Sequence, residues 1–91
     1  MAGAVGQREQ QARRFVEGMT AEERMLVVLK KELFEGSWDE MENDLRARLA
    51  GRPYIFKLAS RIGEDLDRIA RLRRFEQSSG VDLGDYVDLE P

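Results

Sequence analysis

The longest unbroken amphipathic pattern in the chain runs from Pro53 to Gln77. Ile55, Ile62 and Ile69 recur at intervals of seven, and Leu58, Ala59, Leu66 and Leu72 fill the spaces between them. Such a heptad-like seam predicts one long helix, with Asp65 standing where an apolar residue belongs. At about 1.5 Å per residue that helix spans roughly 37 Å.

Two shorter helices precede it. Thr20 to Glu23 matches a capping box, which predicts a helix over 21–35 stopped by Gly36. Its apolar residues do not keep to one side. Met25, Leu26, Leu29 and Leu33 share a stripe, while Val27, Val28 and Phe34 point elsewhere, the pattern of a buried or two-sided helix. Ser37 to Glu40 repeats the capping pattern and opens a helix over 38–50, whose stripe is Trp38, Met41, Leu45 and Leu49. Acidic residues gather at its amino end and Arg46 and Arg48 at its carboxyl end, as the helix dipole favours. Gly51 closes it, and Pro53 suits the first position of the long helix over 53–77.

The flanks are weaker. Residues 1–6 are small and glycine-containing and are expected to be disordered. Ala12, Phe15, Val16 and Met19 give 7–17 a faint apolar stripe, interrupted at Gly18. Residues 81–91 alternate apolar and acidic positions, with Leu83, Tyr86 and Val87 able to line one side of a helical turn. The expected architecture is all-α: a small three-helix bundle with one long C-terminal helix, a weak extra N-terminal helix and an acidic tail. The N-terminal segment covers 1–19, the helical domain 20–80 and the tail 81–91.

Composition narrows the function classes. The chain has 91 residues, 42% hydrophobic and 36% charged, with neither cysteine nor histidine. A chain of this size buries only about 60–65% of its unfolded surface, so a partner or second copy adds useful burial. Without thiols and imidazoles there is no disulfide framework, no zinc site of the usual ligands and no histidine acid–base chemistry. Carboxylates such as Asp39, Glu42, Glu64, Asp65 and Asp67 lack the loop spacing of an EF-hand, and surface solvation explains them. A non-enzymatic protein with no metal or cofactor is the expectation. No apolar run reaches the roughly 18–20 residues of a membrane helix, and the N-terminus lacks the order of a signal peptide. Cytoplasmic location follows as the default. Arginine outnumbering lysine suggests a GC-rich, bacterial genome.

Charge adds one candidate surface. The net charge is −3, and Asp82, Asp85, Asp88 and Glu90 leave the preceding chain close to neutral. Lys57, Arg61, Arg68 and Arg71 recur on one side of the long helix, with Phe75 beside them. A solvated face is the plain reading of this stripe. As a binding face, it suits an acidic protein or the chain's own tail better than nucleic acid, given the overall charge. A helix-turn-helix reading of Ala47 to Pro53 fails because Lys57 and Ser60 fall where apolar residues should pack back.

Two features speak for protein partners. The second helix and the aromatics Phe15, Phe34, Trp38 and Tyr54 offer more apolar surface than three single stripes require. Either 7–17 or the tail covers the surplus, or a homodimer or partner does. The tail carries Tyr86-Val87-Asp88-Leu89, which fits a loose tyrosine-based recognition pattern or simply caps the bundle. The expected function is a small non-enzymatic protein–protein interaction module (adaptor, chaperone-like or regulatory subunit), self-associating through helical surfaces, with an acidic or helical protein partner. The alternative is a nucleic-acid-binding regulator using the basic face. Core and interface candidates are Leu29, Leu33, Phe34, Trp38, Leu45, Ile55, Ile62, Leu66 and Ile69. Partner-surface candidates are Arg61, Arg68, Arg71, Phe75 and Tyr86.

Overall fold

The computed structural model describes residues 2–52 and 55–87. Among these every regular element is helical: α1 (Ala2–Glu17), α2 (Ala21–Leu33), α3 (Trp38–Gly51), α4 (Phe56–Ser79) and a 3₁₀ turn at Leu83–Asp85. Pro53, expected at the start of the long helix, lies outside the described residues.

Local chemistry sets the boundaries. Thr20 caps α2 with both arms of the box: its Oγ1 accepts from the Glu23 amide at 3.2 Å, and Glu23 Oε1 accepts from the Thr20 amide at 3.0 Å. Ser37 supplies only one arm, accepting from the Glu40 amide at 3.2 Å. Its own amide donates instead to the Phe34 carbonyl at 2.9 Å, so the tight α2–α3 turn takes the place of the second arm. Helix α2 stops at Leu33, two residues before the expected end, because Glu35 (φ 51°) and Gly36 (φ 79°) both turn left-handed. Gly80, with φ 73°, ends α4, its amide donating to the Glu76 carbonyl at 2.8 Å. Helix α1 reaches back to Ala2, through the stretch where small residues suggested disorder.

The helices pack as an elongated body of 53 × 23 × 20 Å. Helices α3 and α4 run antiparallel, as their end-to-end pairing shows. Trp38 at the start of α3 meets Glu76 near the end of α4, and Arg73 of α4 bonds Asp39 and Glu42 of α3 at 2.8 and 2.7 Å. Helix α2 lies beside the second half of α4, and α1 crosses the same region. The central cluster takes Val16 and Met19 from the α1 end, Leu26, Val27 and Val28 from α2, and Trp38 and Met41 from α3. Ile69 and Leu72 of α4, with Leu83 and Val87 of the C-terminal segment, complete it. No residue of α4 before Ile69 joins that cluster. The first half of α4 therefore packs as a two-helix hairpin with α3, around Ile62.

Candidate interaction surfaces

A buried polar node joins four elements. The stripe of α2 that faces inward reads Glu23, Val27, Lys30, spaced by four and three, so an acid and a base share the core side of the helix. Lys30 is only 3% exposed. Its Nζ donates to Glu76 Oε2 and to Asp82 Oδ1, both at 3.2 Å, and lies 4.6 Å from the Trp38 ring centre. The other Glu76 oxygen accepts from Trp38 Nε1 at 2.6 Å, while Oε2 also takes the Leu83 amide at 2.7 Å. An ammonium ion so far from water is tolerable only with such partners. Among the described residues no buried side-chain nitrogen or oxygen lacks one.

A second cluster docks α1. Phe15 stacks on Phe75 with ring centres 3.9 Å apart and planes 15° from parallel. The Arg71 guanidinium sits 4.7 Å from the Phe15 ring and pairs with the buried carboxylate of Glu23. Burial alone would raise the Glu23 pKa, but the Thr20 amide and Arg71 outweigh it and hold the carboxyl below its ordinary value. Arg24 adds a 2.8 Å bond to the Val16 carbonyl.

These contacts distribute the candidate partner residues among different environments. Arg71 and Phe75 are engaged with α1 and α2. Arg68 is half-buried and bonds Asp65 at 2.8 Å, which also accounts for the acid in the isoleucine seam, itself half-buried. Arg61 is exposed and lines a shallow groove of about 430 Å³ with Lys57, Ser60, Glu64, Arg68 and Glu22. Tyr86 is half-buried against the core cluster, and its neighbours Asp88 and Leu89 lie outside the described residues. Of the candidate residues Arg61 and Arg68 remain together, with Lys57, as a basic surface, while Arg71 and Phe75 of the stripe's other half are engaged by α1 and α2.

Of the core and interface candidates, Trp38, Ile62 and Ile69 are buried. Leu29, Phe34, Leu45, Ile55 and Leu66 are half-buried. Leu33 is 67% exposed and outside the core although it shares a side of α2 with buried Leu26, because it is the last residue of the helix. Lys30 and Glu76 carry no local signal in the sequence beyond the four-and-three spacing of 23, 27 and 30, and the capping box accounts for the Thr20 bond of Glu23 but not for its pair with Arg71.

The hairpin tip is the least covered apolar region. Phe56 is 85% exposed, with half-buried Ile55 and Leu58 next to it in sequence and half-buried Leu49 and Leu66 farther along α3 and α4. Carboxylates elsewhere pair with cations: Asp39 and Glu42 with Arg73, Asp44 with Arg48, Glu64 with Arg68. Among the described residues no three acidic side chains converge into a metal-sized cluster, and no helix is long and apolar enough to cross a membrane. No family model, curated protein or solved structure matches the chain.

Proposed function

We propose that this chain is a small non-enzymatic protein–protein interaction module, an adaptor, chaperone-like or regulatory subunit that self-associates through helical surfaces. The observation that carries this reading is the α3–α4 hairpin, which extends past the central cluster with Phe56 85% exposed and Ile55, Leu58 and Leu66 half-buried along α4. Two amphipathic helices alone cover one side of each stripe, and a second hairpin would supply the missing side. The three-helix description belongs to the same proposal: α2, α3 and α4 form the working body, and α1 is an added cover. Cytoplasmic location is part of the proposal as well.

Sedimentation equilibrium across the micromolar range tests the reading. A concentration-dependent dimer that Phe56→Asp shifts to monomer is the expected result. A monomer of about 10.5 kDa at high micromolar concentration, for wild type and variant alike, sinks self-association. The nucleic-acid alternative is left with Lys57, Arg61 and Arg68 around a groove that also holds Glu22 and Glu64, a poor surface for phosphate.

A further inference from the structure

Past Gly80 the chain turns back along the seam between α2 and α4 and lies there as a strap, residues 82–87. Its grip is chemically simple. Asp82 Oδ1 meets Lys30, the Leu83 amide donates to Glu76, and Lys31 Nζ reaches the Gly84 carbonyl at 3.3 Å. Asp82 also accepts from the Gly84 amide at 2.9 Å, which folds the strap into its turn. Leu83 is fully buried and Val87 nearly so. Gly84 lies close beneath, where an added Cβ would stand 3.1 Å from Asp82 Oδ1 and 3.8 Å from the Lys31 side chain.

Each contact asks little of the occupant. The groove takes one carboxylate, one backbone amide, one backbone carbonyl and two aliphatic side chains four residues apart. The wall presents Lys30, Lys31 and the Glu76 carboxylate that pairs with Lys30, and the strap answers with Asp82 on Lys30, so charge placement selects the occupant together with shape. Two residues, Gly80 and Val81, separate the strap from α4.

We infer that the α2–α4 groove is a docking site for a short acidic–aliphatic segment of another protein, of the type Asp-Leu-Gly followed by an aliphatic residue four after the leucine. The strap is the groove's occupant in cis and suppresses binding until it is displaced. A tethered segment competes at an effective concentration on the order of millimolar, so a trans ligand must bind better than the strap or be presented alongside a second contact. This inference stands apart from the hairpin surface, and either can fail without the other.

The full chain carries its own reporter. Trp38 is the only tryptophan, and it bonds the same Glu76 that holds the strap. The probe is a fluorescein-labelled peptide of residues 80–87, titrated by anisotropy into wild type, Leu83→Ala and Asp82→Lys, with Trp38 emission and far-UV circular dichroism followed in parallel. Both variants undock the strap, so they are expected to keep their helicity, shift Trp38 emission and bind the peptide at least tenfold more tightly than wild type. Adding Lys31→Glu, at an exposed position on the groove wall, is expected to weaken that binding by about tenfold. Four results overturn the inference. The peptide fails to bind helical strap variants, or it binds wild type equally well. Both variants lose their helices, which makes the strap part of the fold and not a ligand. Last, wild type forms a dimer that the strap variants abolish, which makes the occupant a second copy exchanging straps.

Discussion

Lys30 and Glu76 lie 46 positions apart and meet at 3.2 Å behind Trp38. One carboxylate thereby receives an ammonium from α2, an indole N–H from α3 and a backbone amide from the strap. The node fixes the angle at which α2 and α3 sit against α4. It also makes the strap's position a direct consequence of how the bundle is assembled. Apolar packing alone would leave that register loose, because Leu72, Val27 and Leu83 are interchangeable in chemistry and differ only in shape.

Removing one member of the node should cost far more than removing two. Glu76→Leu strands the Lys30 ammonium with Asp82 alone and leaves the Trp38 N–H without its acceptor. About 3 kcal/mol or more of stability should be lost, a fall in Tm of roughly 10–20 °C. Lys30→Met combined with Glu76→Leu replaces the pair by hydrocarbon and should recover at least half of that loss. Urea titration of the two singles and the double gives the coupling directly. A double variant whose losses simply add would show that the two side chains stabilise independently.

The Glu23 side chain both caps α2 and pairs with Arg71, so its removal should exceed the loss of the cap alone. Thr20→Ala is expected to cost about 1 kcal/mol. Glu23→Ala loses the reciprocal arm of the box and the Arg71 pair together, and should cost roughly 2 kcal/mol. Arg71 is half-exposed and regains water, which keeps the figure from growing further. Equal losses for the two variants, measured by thermal denaturation, would mean that the Arg71 pair contributes nothing.

Acid should unfold the chain through the same carboxylates. Burial works to raise the Asp82 pKa, but the Gly84 amide and the Lys30 ammonium overcome it and hold the group below its ordinary 3.8; Glu23 is likewise held below 4.5. The unfolded chain therefore takes up these protons first. Stability from both groups is complete above their ordinary values and drains away as pH falls through the folded ones. Unfolding free energy should stay level from neutral pH to about 5 and drop below 4.5, with no histidine to add a slope between. Glu23→Gln should make the acid limb shallower. An unchanged limb in that variant would put acid lability elsewhere.

The helices were legible because they rest on local chemistry. The Thr20 box, the Ser37 cap and each step of three or four along the Trp38–Leu49 stripe act within about one turn, and the predicted elements follow from them. What the periodicity hid was the pair of charges on the buried side of α2. Its apolar surplus pointed to the Met25–Leu33 stripe, and Leu26 of that stripe is buried, with Leu29 half-buried, against the core. Glu23 and Lys30 are buried beside Leu26, Val27 and Val28 because Arg71 and Glu76 of α4 meet them with opposite charges. Nothing local to residue 30 announces a partner 46 positions away. The basic stripe misled in the same manner. Arg61, Arg68, Arg71 and Phe75 share a flank of α4, but Phe15 and Glu23 cover its later half, and both come from segments whose docking depends on long-range packing.

Two left-handed residues with opposite fitness give the last prediction. Glu35 adopts φ 51° with a side chain attached, while Gly80 adopts φ 73° without one. A Cβ in this region costs about 1 kcal/mol or more. Gly80→Ala should therefore destabilise by about 1 kcal/mol, since the nearest atom to an added Cβ is the far end of Arg8 at 3.9 Å and space is not the obstacle. Glu35→Gly removes the same strain and should stabilise by up to about 1 kcal/mol, less the extra backbone entropy of glycine in the unfolded chain. Urea midpoints that move in opposite directions support the turn geometry at both helix ends. If Glu35→Gly instead lowers the midpoint by as much as Gly80→Ala does, the α2–α3 turn does not hold Glu35 in the left-handed region.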